Sequence, residues 1–146
     1  MSRHEARQRA LELLFSREFH GENDIQYREL EILEREITDE AAVERDVIGA
    51  GDSAEYCAYL LDTVSAHRDE LDRIISTYAK DWDVSQMNKA DKNIMRLALA
   101  ELQFPKEPIA ANIILNEAVR LAKEYSGVQS SRFVNGILGA YVRRQE

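Results

Sequence analysis

Apolar residues recur at steps of three and four along most of this chain, the spacing of amphipathic helices rather than the alternation of strands. Ala6, Ala10, Leu13 and Leu14 mark one side of a first helix, with Arg3, His4, Arg7, Gln8 and Arg9 around the remainder. Ser2 can cap it, and Glu5 three residues on suits a capping box. Leu30, Leu33 and Ile37, and more weakly Val43 and Val47, keep helical spacing through the next stretch. They predict a short amphipathic helix, a second shorter or irregular one, and a mobile turn at Gly49–Ala50–Gly51. A long helix then opens at Asp52 or Ser53 and runs to about Ala79. Its stripe holds Cys57, Leu60, Leu61, Val64, Leu71, Ile74, Ile75 and Tyr78, as expected of a central strut.

Trp82–Asp83–Val84 reads as a turn whose indole plugs the junction between helices. Asn88 is placed to cap the next helix, with Asp91 three residues later, and Ile94, Met95, Ala98, Leu99 and Leu102 line its buried side until Phe104–Pro105 ends it. The run MRLALAEL is apolar nearly all round, which predicts a helix in the middle of a core. Pro108 in a first turn and Gly127 as a left-handed terminator bracket another helix. Its core face is Ile114, Ala118, Leu121, Ala122 and Tyr125, while Asn116, Glu117, Arg120, Lys123 and Glu124 fall mostly opposite. A last helix starts at Ser130 or Ser131, either of which can accept from free N–H groups, and turns Phe133, Val134, Ile137, Leu138 and Tyr141 inward. The expected fold is all-α: a compact bundle of about six to seven helices. One domain over 1–146 comprises two helical halves, about 1–80 and about 81–146, sharing a core.

Charge and chemistry narrow the function. The 146 residues suffice for one core, and the net charge of −8 argues against holding nucleic acid by bulk electrostatics alone. Any RNA binding needs a local basic patch or a partner that supplies positive charge. Acidic residues crowd between Gly21 and Ser53, a composition that reads as a solvated face. The single cysteine rules out an intramolecular disulfide, and no signal-peptide pattern or bilayer-length apolar run is present, so a cytoplasmic protein is expected. Cys57 lies on an apolar stripe with no basic group within a helical turn, as a buried inert thiol would. His4, His20 and His67 lack metal-ligand spacing, and the sequence has no Gly-rich phosphate loop, paired metal-binding cysteines or Ser-His-Asp pattern. No metal, cofactor or enzymatic activity is expected.

The stretches ILNEAVRLAKEYSG and SSRFVNGILG, with ADKNIMRLALAEL upstream and an Arg-bearing first helix, resemble the bacterial NusB family of transcription antitermination factors. The resemblance is strong from Trp82 to Leu138, fair across the first helix and weak between about Gly21 and Ser53. It implies pairing with the small-subunit ribosomal protein NusE and joint binding of a single-stranded boxA element in nascent RNA. Together with other Nus factors, the complex modifies the elongating RNA polymerase so that it reads through terminators, chiefly in ribosomal RNA operons. The ribosomal partner can bring the cationic surface that this acidic chain lacks.

Three places form the expected RNA track. The first is Arg3, His4, Arg7 and Arg9, whose guanidinium forks match phosphate oxygens, in a basic start interrupted by Glu5. The second is Asp91 and Lys92, where a carboxylate accepts from base amino edges and an ammonium reaches a phosphate. The third is Gln129, Ser130, Arg132 and Phe133, where Phe133 either stacks on an unpaired base or belongs to the core. The plain alternative for Asp91 is a helix cap, and Gln129 stands where many family members carry an acidic residue. Glu101, Asn112, Asn116 and Glu117 are the candidates for the NusE surface; they read as well as ordinary polar residues of helix backs. Some family members self-associate, so the resemblance also admits a homodimer that hides the arginines. Two other readings compete. One is a helical adaptor that keeps the protein contacts without RNA affinity. The other is a relative of the helical domain that precedes some ribosomal RNA cytosine methyltransferases, for which this length leaves no room for a cofactor domain.

Overall fold

The computed structural model describes residues 3–19, 40–80 and 82–145. Among these there are five α-helices, one 3-10 turn and no strand. The helices are α1 (Arg3–Phe19), α2 (Glu40–Tyr78), α3 (Lys89–Gln103), α4 (Ala111–Tyr125) and α5 (Val128–Gln145), and the 3-10 turn, Val84–Gln86, lies between α2 and α3. The all-α class follows from the three- and four-residue spacing. The expected helix around Leu30, Leu33 and Ile37 and the Ser2 cap lie outside the described residues. Two compact units divide the chain, Met1–Leu61 and Asp62–Glu146.

In the first unit, Ala6, Ala10, Leu13 and Leu14 are buried as their spacing demands, and so is Leu11. Tyr56, Cys57 and Leu60 are buried on α2. Helix α2 begins well before the predicted Asp52 or Ser53, and the Gly49–Ala50–Gly51 segment, expected as a mobile turn, is helical. Glycine costs a helix about 1 kcal/mol against alanine through backbone entropy, yet it takes helical angles freely, so a long helix can run through it. Burial pushes the Cys57 thiol above its ordinary pKa, outweighing the opposing pull of Arg9 and Arg17. Those two cations come from α1, so basic charge lies nearer this thiol than its own helix suggests. Desolvation still keeps it protonated and unreactive.

The second unit takes the rest of α2 and helices α3 to α5, and α3, α4 and α5 pack against one another in all three pairings. On α2, Val64, Leu71 and Ile75 are fully buried, while Leu61, Ile74 and Tyr78 sit at the stripe's margin. Helical geometry breaks at His67 (φ −121°, ψ 19°). Its ring stacks on Phe104 with centroids 3.8 Å apart and planes 14° from parallel, and its Nδ1 lies 3.5 Å from Glu70 Oε2.

Helix α3 is buried without interruption from Asn93 to Glu101, which includes Arg96 and Glu101. A buried cation needs compensation. The Nε and Nη2 of Arg96 donate to the two carboxylate oxygens of Asp72 at 2.7 and 2.8 Å, and its Nη1 donates to Asn93 Oδ1 at 3.1 Å. At the far end of α3, the Tyr141 hydroxyl donates to Gln103 Oε1 at 2.7 Å, tying α5 to it.

Helix α4 starts at Ala111, after an extended Ala110 (ψ 136°), so Pro108 lies in the preceding loop and not in the first helical turn. Ile114, Ala118, Leu121 and Ala122 are buried as predicted, whereas Tyr125 is 40% exposed. It is the last residue of the helix, where the chain turns off at Gly127 and the stripe loses its cover. Gly127 has φ +123°, and its N–H and that of Ser126 both donate to the Ala122 carbonyl, at 2.9 and 2.8 Å. This terminator is the one predicted. Helix α5 begins directly after it at Val128, ahead of the expected Ser130 or Ser131. The serines therefore lie inside the first turn: the Ser131 hydroxyl donates back to the Val128 carbonyl at 2.7 Å instead of capping N–H groups. Val134, Ile137, Leu138 and Tyr141 are buried, with Ser131 opening the stripe and Phe133 at its margin.

Replacing Asp72 with alanine leaves the buried Arg96 guanidinium without its carboxylate. Asp72→Ala is expected to lower unfolding stability by about 3 kcal/mol or more, read as a shifted urea midpoint. A shift of less than about 1 kcal/mol would mean that solvent reaches Arg96 and replaces the pair.

Candidate nucleic-acid interface

Asn88 caps α3: its Oδ1 accepts from the Asp91 N–H at 2.7 Å. The contact is also returned, since Asn88 Nδ2 donates to Asp91 Oδ2 at 3.0 Å. The carboxylate is therefore the helix cap partner that the Asn-Lys-Ala-Asp spacing predicts. It does more than that. Ser130, 39 residues away at the start of α5, donates from its hydroxyl to the same Oδ2 at 3.0 Å. Two of the three expected RNA-contacting places, Asp91–Lys92 and Gln129–Phe133, thus meet across one hydrogen bond. Asp91 is only 5% exposed, and its buried Oδ1 has no hydrogen-bond partner among the described residues.

A second contact extends this face. The Trp82 and Phe133 rings meet edge to face, with centroids 6.4 Å apart and planes at 75°. Trp82 is 54% exposed, so the indole does not plug the helix junction as expected. It sits in an irregular segment between two short backbone closures. Its N–H donates to the Ala79 carbonyl at 2.7 Å, and the next N–H, of Asp83, donates to Gln86 Oε1 at 3.2 Å. Phe133 is half-buried, resting on the indole at the margin of the α5 stripe and neither wholly core nor freely exposed. Gln129 and Arg132 are exposed beside it, and Lys92 is half-buried next to Asp91. The N-termini of α3 and α5, the Trp82 turn and these side chains make one surface of the second unit. It offers a side-chain amide, a hydroxyl, an ammonium, a guanidinium and an aromatic face. Those are the elements of single-stranded nucleic-acid recognition. A lone aromatic in a turn has no periodicity from which its exposure follows, so sequence pattern alone suggests a buried plug at Trp82 where the structure has an exposed ring.

The third place lies on α1, in the other unit. Arg3 is exposed and His4 half-buried, but Arg7 and Arg9 are 5% and 9% exposed. Arg3 and Arg7 both stand over the Tyr56 ring, with guanidinium carbons 5.2 and 5.8 Å from its centroid. Such contacts hold an arginine in place while leaving its charge available where it meets solvent. The exposed cation of this helix is therefore Arg3, and Arg7 is largely a packed residue.

Of the four residues expected at a partner surface, Glu101 is 2% exposed and lies within the buried length of α3. Asn112 and Asn116 are exposed on α4. Glu117 is half-buried, with Arg120 Nη1 3.8 Å from its Oε1. Ile113, 48% exposed, lies beside these asparagines. Among the described residues no group of His, Cys, Asp or Glu is arranged to hold a metal ion, and no helix is long and apolar enough to cross a membrane.

Comparison with known proteins adds the decisive observation, a match to the NusB family model over residues 4–143. The chain belongs to the NusB family. It is 41% identical over 145 residues to the transcription antitermination protein NusB of Chloroflexus aggregans, covering 97% of this chain and 87% of that protein. The corresponding protein of Symbiobacterium thermophilum is 38% identical over 143 residues, covering 98% and 90%. Among solved structures, NusB of T. maritima superposes with a TM-score of 0.76 at 28% identity, over 98% of this chain and 92% of that one. A crystal structure of the antitermination factors NusB and NusE in complex with dsRNA matches with a TM-score of 0.72 at 29% identity, over 99% of both chains. NusB family membership thus spans both the arginine-bearing α1 and the α3–α5 face.

The links at this face are separable. Asn88→Ala is expected to cost about 1 kcal/mol through the lost cap, and Ser130→Ala a similar amount through the lost bond to Asp91, each measured by chemical denaturation. If the double variant loses no more than Asn88→Ala alone, the Ser130 bond does not hold the two helix starts together.

Proposed function

We propose that the chain is a transcription antitermination factor. It binds boxA-type single-stranded RNA together with the ribosomal protein NusE and promotes read-through by RNA polymerase, chiefly in ribosomal RNA operons. What carries this reading is the NusB family match over residues 4–143, joined to likeness across nearly the whole chain with a NusB–NusE–dsRNA complex. It acts in the cytoplasm, with other Nus factors on the elongation complex, and performs no catalysis of its own.

Charge decides how the RNA is held. With a net charge of −8 the protein repels a polyanion at long range, so the partner must supply much of the positive field. The chain contributes local contacts instead. Exposed Arg3 and Arg132, and Lys92, reach phosphates, while the Asp91 carboxylate links the starts of α3 and α5. Gln129 and Ser130 add neutral polar contacts, and Phe133 supports an aromatic surface. On the partner side, Asn112, Asn116 and Glu117 of α4 offer a polar surface around Ile113 for NusE. The burial of Arg7 and Arg9 favours a second reading, a helical adaptor of the same fold with little RNA affinity of its own.

Fluorescence anisotropy with a labelled boxA-type oligonucleotide separates the two. Weak binding by the chain alone and clear tightening when NusE is added are expected; no gain from the partner would sink the first reading.

Arg3→Glu is expected to weaken RNA binding and reduce the salt slope by about one, with a nearly unchanged thermal melt. Arg7→Glu places a carboxylate at a buried position and is expected to lose about 3 kcal/mol or more of stability. A stable Arg7→Glu protein with selectively lost RNA affinity would instead put Arg7 in the interface.

A further inference from the structure

We infer that Trp82 is a base-stacking platform: its indole receives an unpaired nucleobase of single-stranded RNA at the face formed by the starts of α3 and α5. This rests on the reading that the protein binds such RNA, and it adds a contact residue absent from that reading.

Three observations lead there. First, Trp82 is the sole tryptophan of the chain and leaves 54% of its surface in solvent, although burial of so large an apolar ring would be favourable. Second, the ring is held and not loose. Phe133 meets it at 75°, and the backbone is closed on either side by the Trp82-to-Ala79 and Asp83-to-Gln86 hydrogen bonds. Whichever of the two rings presents its edge, at least one face of the indole is left uncovered by Phe133. A fixed, open aromatic face is what an unstacked base needs, and stacking tolerates any base because every base has a π-face.

Third, the neighbours suit a nucleotide rather than an apolar peptide. Exposed Arg132 adjoins Phe133 in sequence and exposed Lys80 precedes the turn, giving cations for the phosphates on either side of a stacked base. The Asp91–Ser130 hydrogen bond ties together the same two helix starts, one turn of α5 from Phe133. This occupant is therefore a nucleotide, with the ring on Trp82 and its phosphates toward the cations. Phe133 serves as the buttress of this platform, which accounts for its half-buried state.

Because Trp82 is the only tryptophan, its fluorescence reports the contact directly. Titrating the full-length protein with an unlabelled boxA-type RNA oligonucleotide is expected to quench the emission along the same curve that a labelled oligonucleotide gives by anisotropy. Trp82→Ala is expected to weaken binding by about tenfold, within the range carried by one base–aromatic stack, with an unchanged circular dichroism melt. Trp82→Phe should keep most of the affinity and Trp82→Leu should not, since leucine is apolar but has no π-face. Anisotropy that shows RNA binding while emission stays constant and Trp82→Ala binds normally would overturn the platform and leave RNA binding standing. Equal losses in Trp82→Phe and Trp82→Leu would overturn it too. Absence of RNA binding by wild type, with and without NusE, would remove the functional reading beneath it. A double-stranded RNA of the same sequence, whose bases are already stacked, is expected to leave the emission unchanged.

Discussion

The buried length of α3 sets the terms for the second unit. A helix enclosed from Asn93 to Glu101 must satisfy every polar group it carries, because each unpaired one costs about 1–3 kcal/mol and an unpaired charge more. Arg96 meets that demand through two bonds to Asp72 and one to Asn93, which ties α3 to α2 with directional contacts where Leu97, Ala98, Leu99 and Ala100 provide only packing. Hydrophobic burial permits many rotations of a helix in a core. A bidentate guanidinium pair permits very few. With α3 set in one rotation, its N-terminus presents Asn88 and Asp91 to Ser130, and the surface assigned to RNA follows from that placement.

Negative charge and nucleic-acid binding are reconciled by locality. Helix α1 has four cationic residues, but packing on Tyr56 and in the first unit takes Arg7 and Arg9 largely out of solvent, so sequence charge overstates the surface field. At the α3–α5 face the groups are chemically mixed, with hydroxyl and amide groups, two cations and an aromatic pair. Groups of this kind act through stacking and hydrogen bonds, which are short-ranged and less sensitive to salt than a cationic groove. A strand with open bases can offset the repulsion once a cationic partner is present.

The helical class, the cap at Asn88, the left-handed Gly127 and most of the core stripes follow from local pattern, because helix periodicity and terminal chemistry act over three to five residues. Recognition of the NusB family rested on equally local wording, in the stretches ending at Gly127 and around Phe133. Where local rules misled, a neighbour in space was responsible or the local signal was weak. The two glycines near residue 50 suggested a break, but a helix tolerates glycine at modest cost. Tyr125 matched a stripe that ends one turn too early to cover it, and the serines near 130 resembled caps although Gly127 had already set the helix start.

By itself, then, the sequence determined the all-helical class, most of the inward faces among the described residues and which family the chain resembles. Tertiary structure alone decided that Asp91 meets Ser130 across 39 residues, that Arg7 and Arg9 are buried while Arg3 is exposed, and that Trp82 leans on Phe133 with much of its surface in solvent. The physical reason is range. Backbone preference and periodicity are written in neighbouring residues, whereas the exposure of a side chain and the partner of a buried charge depend on which distant helix arrives beside it.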